Sequence, residues 1–190
     1  MSRTAQTIAM RQPRTQAWVQ QGAIAVLASL FVALCARVTL ALPGTPVPLT
    51  LQNFGVLVVG VTLGPRRGFA ALLVYLMEGA MGMPVFNPAG PGGLLQLLGP
   101  TGGFLMAYPF VAALAGWVME RGQKTFVRAI TAGVLAEIVL FAGGLSYLAI
   151  LTGSIAQAVR WGLYWFVFAE VIKIFMAAAV GVRASRWWKI

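Results

Sequence analysis

The chain has 190 residues, of which 59% are hydrophobic and only 9% are charged, and its mean hydropathy is +0.84. Soluble proteins carry about 25% charged residues, so this composition predicts an integral membrane protein. The net charge of +10 comes from short basic clusters between apolar stretches, a pattern typical of loops that face anionic lipid. It therefore gives no indication of a nucleic-acid-binding protein.

Six apolar stretches predict an all-α bundle of six transmembrane helices. Residues 1–18 are polar and basic and contain no apolar core, so we expect them not to be a cleavable signal peptide. We expect a basic cytoplasmic segment over residues 1–18 and a single six-helix transmembrane domain over residues 19–190. The predicted spans cover residues 19–42, 47–63, 68–83, 102–119, 129–151 and 161–182.

The distribution of basic residues predicts that both termini lie in the cytoplasm. In that orientation, eleven of the fourteen Lys and Arg residues lie in cytoplasmic segments and one, Arg160, lies outside. The other two, Arg37 and Lys173, lie within predicted spans. An excess of this size is what the positive-inside rule requires, and an odd number of spans would break the alternation.

Residues 84–101 form an unusual loop on the predicted outer side, and we call this segment the lid loop. It is rich in Gly and Pro, apolar and uncharged. Irregular backbone near a membrane must be covered by protein or line a cavity, because its polar groups find no partners in lipid. We expect an ordered lid over the outer mouth of the bundle; an inert connector is the alternative.

The residues that are missing argue against an enzyme. The chain has no His and no Asp, four Glu, and a single Cys, Cys35. Nucleophilic pairs that depend on His are therefore excluded, a metal site would need the Glu side chains almost alone, and no phosphate-binding loop motif occurs. We expect no catalytic residue, no metal and no cofactor.

Polar side chains at membrane depth are the candidate binding residues, because an ionised group there costs roughly 2.5–3.5 kcal/mol even on the mildest scale. Glu170 and Lys173 lie three residues apart and share one helix face, so they either pair or grip a polar ligand together. Gln52 and Asn53 offer donors and acceptors; interhelical hydrogen bonding is the alternative. Glu137 lies in the middle of the fifth span.

Two further charged residues lie closer to the predicted outer helix ends. Glu78 and Arg37 are expected to extend to the membrane surface. Aromatic residues also concentrate at these ends, where they form either an interfacial belt or part of a pocket wall. They are Phe86, Phe104, Tyr108, Tyr147, Trp161, Tyr164 and Trp165.

The first span carries small residues at every fourth position, namely Ala25, Ser29 and Ala33. This spacing creates a flat stripe on one helix face and permits another helix to approach closely. The stripe predicts either packing within the bundle or a docking face for another membrane subunit.

Three sets of motifs together resemble the BioY family, the biotin-binding S components of energy-coupling factor (ECF) vitamin transporters. The first is Pro46-Val-Pro-Leu-Thr-Leu-Gln-Asn53 with Gly64-Pro-Arg-Arg-Gly68. The second is Gly82-Met-Pro-Val-Phe86 with Gly92-Gly93 and Gly99-Pro-Thr-Gly-Gly103. The third is Glu170-Val-Ile-Lys173. The resemblance covers most of the chain between residues 46 and 178.

The resemblance implies a multi-pass protein of a prokaryotic cell membrane that captures biotin from outside beneath a lid. It also implies two kinds of partner, a transmembrane coupling subunit and two ATPases, and it favours the docking role of Ala25, Ser29 and Ala33. The ligand-binding candidates are then Lys173, Glu170, Asn53, Gln52, Asn87, Gly92, Gly93, Phe104 and Tyr108.

The chain departs from the family pattern at two places. Where the family usually has Gly-Asp-x-x-Lys, this chain has Ala169-Glu170-Val-Ile-Lys173, and the lid loop has Asn87-Pro-Ala-Gly-Pro before Gly92. Biotin nevertheless suits these residue types, since a Glu accepts from its ureido N–H groups while a Lys or Asn donates to its oxygens. The alternatives are a self-sufficient biotin carrier, an S component for another vitamin, or a structural membrane protein.

Overall fold

The computed structural model describes residues 14–187, and eight helices and one short hairpin make up its regular structure. The elements in chain order are α1 Arg14–Arg37, β1 Thr39–Leu40, β2 Leu49–Thr50, α2 Gln52–Leu63, α3 Pro65–Ala80, α4 Gly93–Leu98, α5 Gly102–Glu120, α6 Phe126–Thr152, α7 Ile155–Gly162 and α8 Val167–Trp187. The basic N-terminal segment predicted over residues 1–18 lies mostly outside the described residues.

The six long helices occur in the predicted order, but two predicted boundaries were wrong. The first helix ends at Arg37, and the chain then forms a hairpin in which Thr39 pairs with Thr50 and Leu40 with Leu49. The second helix therefore begins at Gln52 and not at residue 47. The predicted continuous span 161–182 is instead broken between α7 and α8, which are bent by 50°.

Length and composition set which helices could cross a membrane unaided. Within the described residues these are residues Trp18–Arg37 of α1, the whole of α5 and the whole of α6, and the bent pair α7 and α8 would add a fourth span. Helix α2 has 12 residues and is about 18 Å long, less than the roughly 30 Å of a hydrocarbon core. The count of six spans stays a prediction.

The bundle is closed by small residues where helices touch. Helix α5 packs against α2, α3 and α6. A Cβ atom on Gly60 of α2 would lie 2.5 Å from the carbonyl oxygen of Ala112 in α5, and one on Gly103 of α5 would lie 2.7 Å from that of Gly143 in α6. Backbones this close leave no room for a side chain, so glycine is required at both contacts.

The outward faces of the long helices are apolar. Leu27 and Leu34 of α1, Ile138 and Ile150 of α6, and Phe175 of α8 are all exposed. A soluble protein rarely exposes so much contiguous apolar surface, whereas a helix surrounded by lipid does so throughout. The chain is accordingly a multi-pass membrane protein, as its composition predicted.

Candidate functional site: a pocket with a buried ion pair

A narrow pocket lies among helix ends, at the end of the bundle away from the basic α2–α3 and α5–α6 turns. Its cavity volume is about 50 Å³, well below the range of about 300–1,000 Å³ for small-molecule sites. A ligand therefore has to widen it. The lining residues are Val47, Pro48, Thr50, Gln52, Asn53, Asn87, Thr101, Phe104, Leu105, Tyr108, Leu140, Phe141, Phe166, Glu170 and Lys173.

The polar centre of the pocket joins three helices. Lys173 Nζ donates to Glu170 Oε1 at 2.6 Å within α8, which is one of the two arrangements that their i, i+3 spacing allowed. Asn53 of α2 donates through its Nδ2 to Glu170 Oε2 at 2.7 Å and to Glu137 Oε1 of α6 at 2.5 Å. The prediction left open whether Glu137 pairs with Lys173; in the structure its hydrogen-bond partner is Asn53.

Burial raises the free-energy cost of the charged groups in this centre. Asn53, Glu137, Glu170 and Lys173 are each at most 6% exposed, and burying an ion costs several kcal/mol unless pairing offsets it. The Lys173 ammonium has three N–H donors, and the described residues use only one of them. Because Lys173 lines the cavity, its free donors are available to an anionic or carbonyl oxygen of a ligand.

Gln52 lies beside Asn53 at the start of α2 and also lines the pocket. Its Nε2 donates to the hydroxyl of Tyr75 in α3 at 2.8 Å, and Tyr75 in turn donates to the carbonyl oxygen of Val85 in the lid loop at 2.8 Å. The sequence identified Gln52 as a candidate, but it gave no sign of Tyr75, because a single Tyr in an apolar helix has no distinguishing local pattern.

The lid loop is ordered by buried contacts. Asn87 is 4% exposed and lines the pocket. Gln96 of α4 is 1% exposed; it accepts from the Gly92 N–H at 3.1 Å and donates to the Asn87 carbonyl oxygen at 3.4 Å. Gly92 and Gly93 do not line the pocket; they turn the chain into α4 with φ of +73° and +60°. Sequence reasoning missed Gln96.

Four aromatic residues form one part of the pocket wall. Phe104 and Tyr108 of α5 line it, as proposed from the sequence, and Phe141 of α6 and Phe166 before α8 complete it. The rings of Phe104 and Phe141 meet edge to face with centroids 6.5 Å apart. Phe141 and Phe166 were missed, since an aromatic residue inside an apolar stretch looks the same whether it faces lipid or a pocket.

The small-residue stripe of α1 is buried against other parts of the same chain. Ala25, Ser29 and Ala33 are all buried, and the Ser29 hydroxyl donates to Glu78 Oε2 of α3 in a short hydrogen bond. The bundle thus uses this stripe for internal packing, the alternative that the sequence left open, while docking of a partner there stays a prediction. Glu78 does not extend to the surface as expected, whereas Arg37 is exposed.

Within residues 14–187, no group of three or more His, Cys, Asp or Glu side chains could hold a metal ion. The polar groups of the pocket are instead an ammonium, a carboxylate and amides, set in an apolar and aromatic wall. Such a site binds a small molecule that carries both hydrogen-bond donors and acceptors on an apolar body.

Comparison with known proteins matches the chain to a family. The sequence profile of the BioY family matches residues 5–190. The chain is 38% identical over 165 residues to the biotin transporter BioY of Rhizobium etli, covering 83% of this chain and 88% of that protein. It is 37% identical over 161 residues to the probable biotin transporter BioY of Pyrococcus horikoshii, covering 83% and 93%.

The fold is also similar to a solved structure. The crystal structure of the S-component for biotin from an ECF-type ABC transporter superposes with a TM-score of 0.80, covering 94% of this chain and 95% of that one, at 22% identity. This likeness shows that the two chains share the same fold. From its sequence profile and its relatives, the chain belongs to the BioY family.

Proposed function

We propose that this chain is the membrane subunit that captures biotin for uptake, acting as an S component of an ECF transporter and not as an enzyme. The observation that carries the proposal is the convergence of Lys173, Glu170 and Asn53 in one pocket. Lys173 and Glu170 lie on α8 and Asn53 lies on α2, in a chain that belongs to the BioY family.

The pocket is chemically matched to biotin. The carboxylate of Glu170 accepts from the ureido N–H groups, and the free donors of Lys173 bind an oxygen of the ureido ring or of the carboxylate tail. The rings of Phe104, Phe141 and Phe166 cover the apolar bicyclic body. We propose Asn87, Gln52 and Tyr108 as further contacts, and Gly92 and Gly93 as residues that shape the lid loop.

Uptake requires energy, and the sequence contains no phosphate-binding loop motif for ATP hydrolysis. We propose that a transmembrane coupling subunit and two ATPases energise release into the cytoplasm, with the basic turns on that side of the membrane, in contact with its lipid. A single substrate-binding domain over residues 19–190 and a basic segment over residues 1–18 complete the proposed organisation. Vesicles containing the chain alone, compared with vesicles that also contain the module, test whether the module is needed.

Equilibrium binding of biotin to the purified chain in detergent tests the capture role. We expect binding that unlabelled biotin displaces and that riboflavin and thiamine do not. Lys173→Ala should weaken binding by about 100-fold, because truncating one partner of a buried charge pair costs about 2–5 kcal/mol.

The matched control is Lys124→Ala, which removes an exposed lysine at the opposite end of the bundle and should leave affinity unchanged. No binding by folded parent protein, or equal binding by Lys173→Ala, would contradict the proposal and favour another ligand or a structural role.

A further inference from the structure

The base of the lid loop is buried although it has no regular structure. Val85, Phe86 and Asn87 are each at most 4% exposed. The Phe86 ring meets the Tyr75 ring edge to face with centroids 5.4 Å apart, and it fills the space beside Gly79, where a Cβ atom would lie 2.0 Å from the ring. Docking of residues 85–87 therefore sets where Asn87 meets the pocket.

Tyr75 connects this docked segment to the pocket wall. Its ring is fully buried in α3, and its hydroxyl is the only polar atom of the side chain. That hydroxyl accepts from Gln52 Nε2 and donates to the Val85 carbonyl oxygen, both at 2.8 Å. A continuous chain of two buried hydrogen bonds thus runs from a pocket residue to the backbone of the lid loop.

The number of available protons sets the direction of these two hydrogen bonds. A phenol has one proton, and the Gln52 NH₂ group, which only donates, leaves that proton to the Val85 carbonyl oxygen. If the Gln52 amide turned by half a rotation, its Oε1 would compete for the same proton, and the Val85 carbonyl would lose its donor.

The other end of the Gln52 amide is open to a ligand. Gln52 Oε1 makes no hydrogen bond with any described residue, and Gln52 lines the cavity. A ligand N–H or O–H that donates to Oε1 would fix the amide in the orientation that commits the Tyr75 proton to Val85. Ligand contact on one side of Gln52 would then stabilise the lid loop on the other.

We infer that Tyr75 is a positioning residue that transmits ligand contact at Gln52 to the docking of residues 85–87 over the pocket. This inference rests on the proposed function and adds to it how the site closes. Tyr75 itself does not line the cavity, so its influence on the ligand is exerted through Gln52 and the lid loop.

Hydrogen exchange of residues 82–92, measured by mass spectrometry with and without saturating biotin, tests the inference. In the parent chain we expect biotin to slow exchange of this segment. In Tyr75→Phe the segment should exchange faster without biotin, and most of the protection by biotin should be lost. The dissociation rate of biotin should rise about tenfold, because loss of the hydroxyl leaves two buried groups unpaired, while the association rate changes by less than about twofold.

The matched control is Tyr147→Phe, which removes a hydroxyl that makes no hydrogen bond among the described residues. It should leave both exchange and dissociation unchanged. If Tyr75→Phe loosens the segment but biotin protects it as fully as in the parent, Tyr75 is only a structural anchor and the inference is wrong.

Gln52→Leu provides a second test that does not depend on whether Tyr75→Phe folds. It removes the amide but leaves Tyr75 free to donate to Val85, so exchange without biotin should match the parent. At saturating biotin, the additional protection of residues 82–92 should be absent. Full protection in this variant would overturn the inference.

These outcomes are separate from those for the proposed function. If the folded parent chain binds no biotin, the proposed function fails. If the parent binds biotin and both variants respond to it as the parent does, only the inference about Tyr75 fails.

Discussion

The two ends of the helix bundle are built in opposite ways, and α2 runs through both. At the pocket end, where α2, α5 and α8 begin, Gln52 and Asn53 of α2 face a cavity and bind polar side chains on other helices. At the basic end, where α2 turns into α3, a Cβ atom on Gly116 of α5 would lie 2.4 Å from the carbonyl carbon of Gly64. Helix α5 is thus in backbone contact with the α2–α3 turn at one end, whereas polar side chains surround a narrow cavity at the other.

The difference shows where the chain can change shape. Close backbone packing resists small displacements, because its groups interdigitate at the density of an organic crystal. A narrow cavity with free donors and a hydrogen-bonded lid loop can open at much lower cost. We therefore expect ligand-dependent motion at the pocket end, around the close backbone contact between Gly116 and Gly64 at the basic end, and the following substitutions test that contrast.

The largest effect should come from replacing Glu170, one of the two buried carboxylates that accept from Asn53. Glu170→Gln removes the counter-charge of Lys173, and breaking one side of a buried ion pair costs about 3–5 kcal/mol. Biotin affinity should fall by about 100-fold or more. Glu137→Gln is the matched control, since its side-chain oxygen can still accept from Asn53 Nδ2, and we expect less than about 1 kcal/mol. Equal losses in binding assays would mean that the two carboxylates act as one unit.

An intermediate effect should follow from disturbing the basic end. In Gly116→Ala the added methyl group meets the backbone atoms of Gly64 and Pro65 at 2.4 and 2.5 Å, which cannot move aside as a flexible side chain would. Overpacking of this kind costs about 1–3 kcal/mol, so thermal unfolding in detergent should begin at a lower temperature.

Gly22→Ala is the control for that substitution, because no atom lies within 4 Å of the new Cβ position. It should leave the unfolding temperature unchanged. A Gly116→Ala protein that is as stable as the parent would show that the contact of Gly116 with Gly64 and Pro65 can adjust, contrary to the expected contrast.

The smallest effect should come from a glycine of the lid loop, compared with the glycine that ends α6. Gly92 and Gly153 both have positive φ, and no atom lies within 4 Å of the position that an added methyl group would take. Gly153 has left-handed helical backbone, where an alanine costs about 1–2 kcal/mol of strain. Gly92 has a ψ of 173°, in a region that glycine almost alone adopts, where the strain is about 1–3 kcal/mol. Gly92 lies in the lid loop beside Gln96, whereas Gly153 ends α6. Both variants should lose stability, Gly92→Ala at least as much as Gly153→Ala, but only Gly92→Ala should weaken biotin binding, by a few fold. Equal affinities in the two variants would argue against a role of the lid loop in binding.

Sequence reasoning succeeded where the signal is local. Glu170 and Lys173 were expected to share one helix face because a helix places residues i and i+3 there, and in the structure Lys173 Nζ and Glu170 Oε1 are 2.6 Å apart. It failed where the signal depends on which way a side chain faces. Phe141 and Phe166 line the pocket, yet nothing in an apolar stretch distinguishes a pocket-facing ring from a lipid-facing one.

The sequence by itself determined that this chain is an all-α membrane protein of the BioY family with polar residues at membrane depth. Those properties follow from composition, from hydropathy over lengths of about 20 residues and from motifs that can be read along the chain. Only the tertiary structure decided that Asn53 bridges Glu137 and Glu170, that Tyr75 joins Gln52 to the lid loop, and that Ala25, Ser29 and Ala33 face the interior. Each of these depends on how helices distant in sequence pack against one another, and no local pattern encodes that packing.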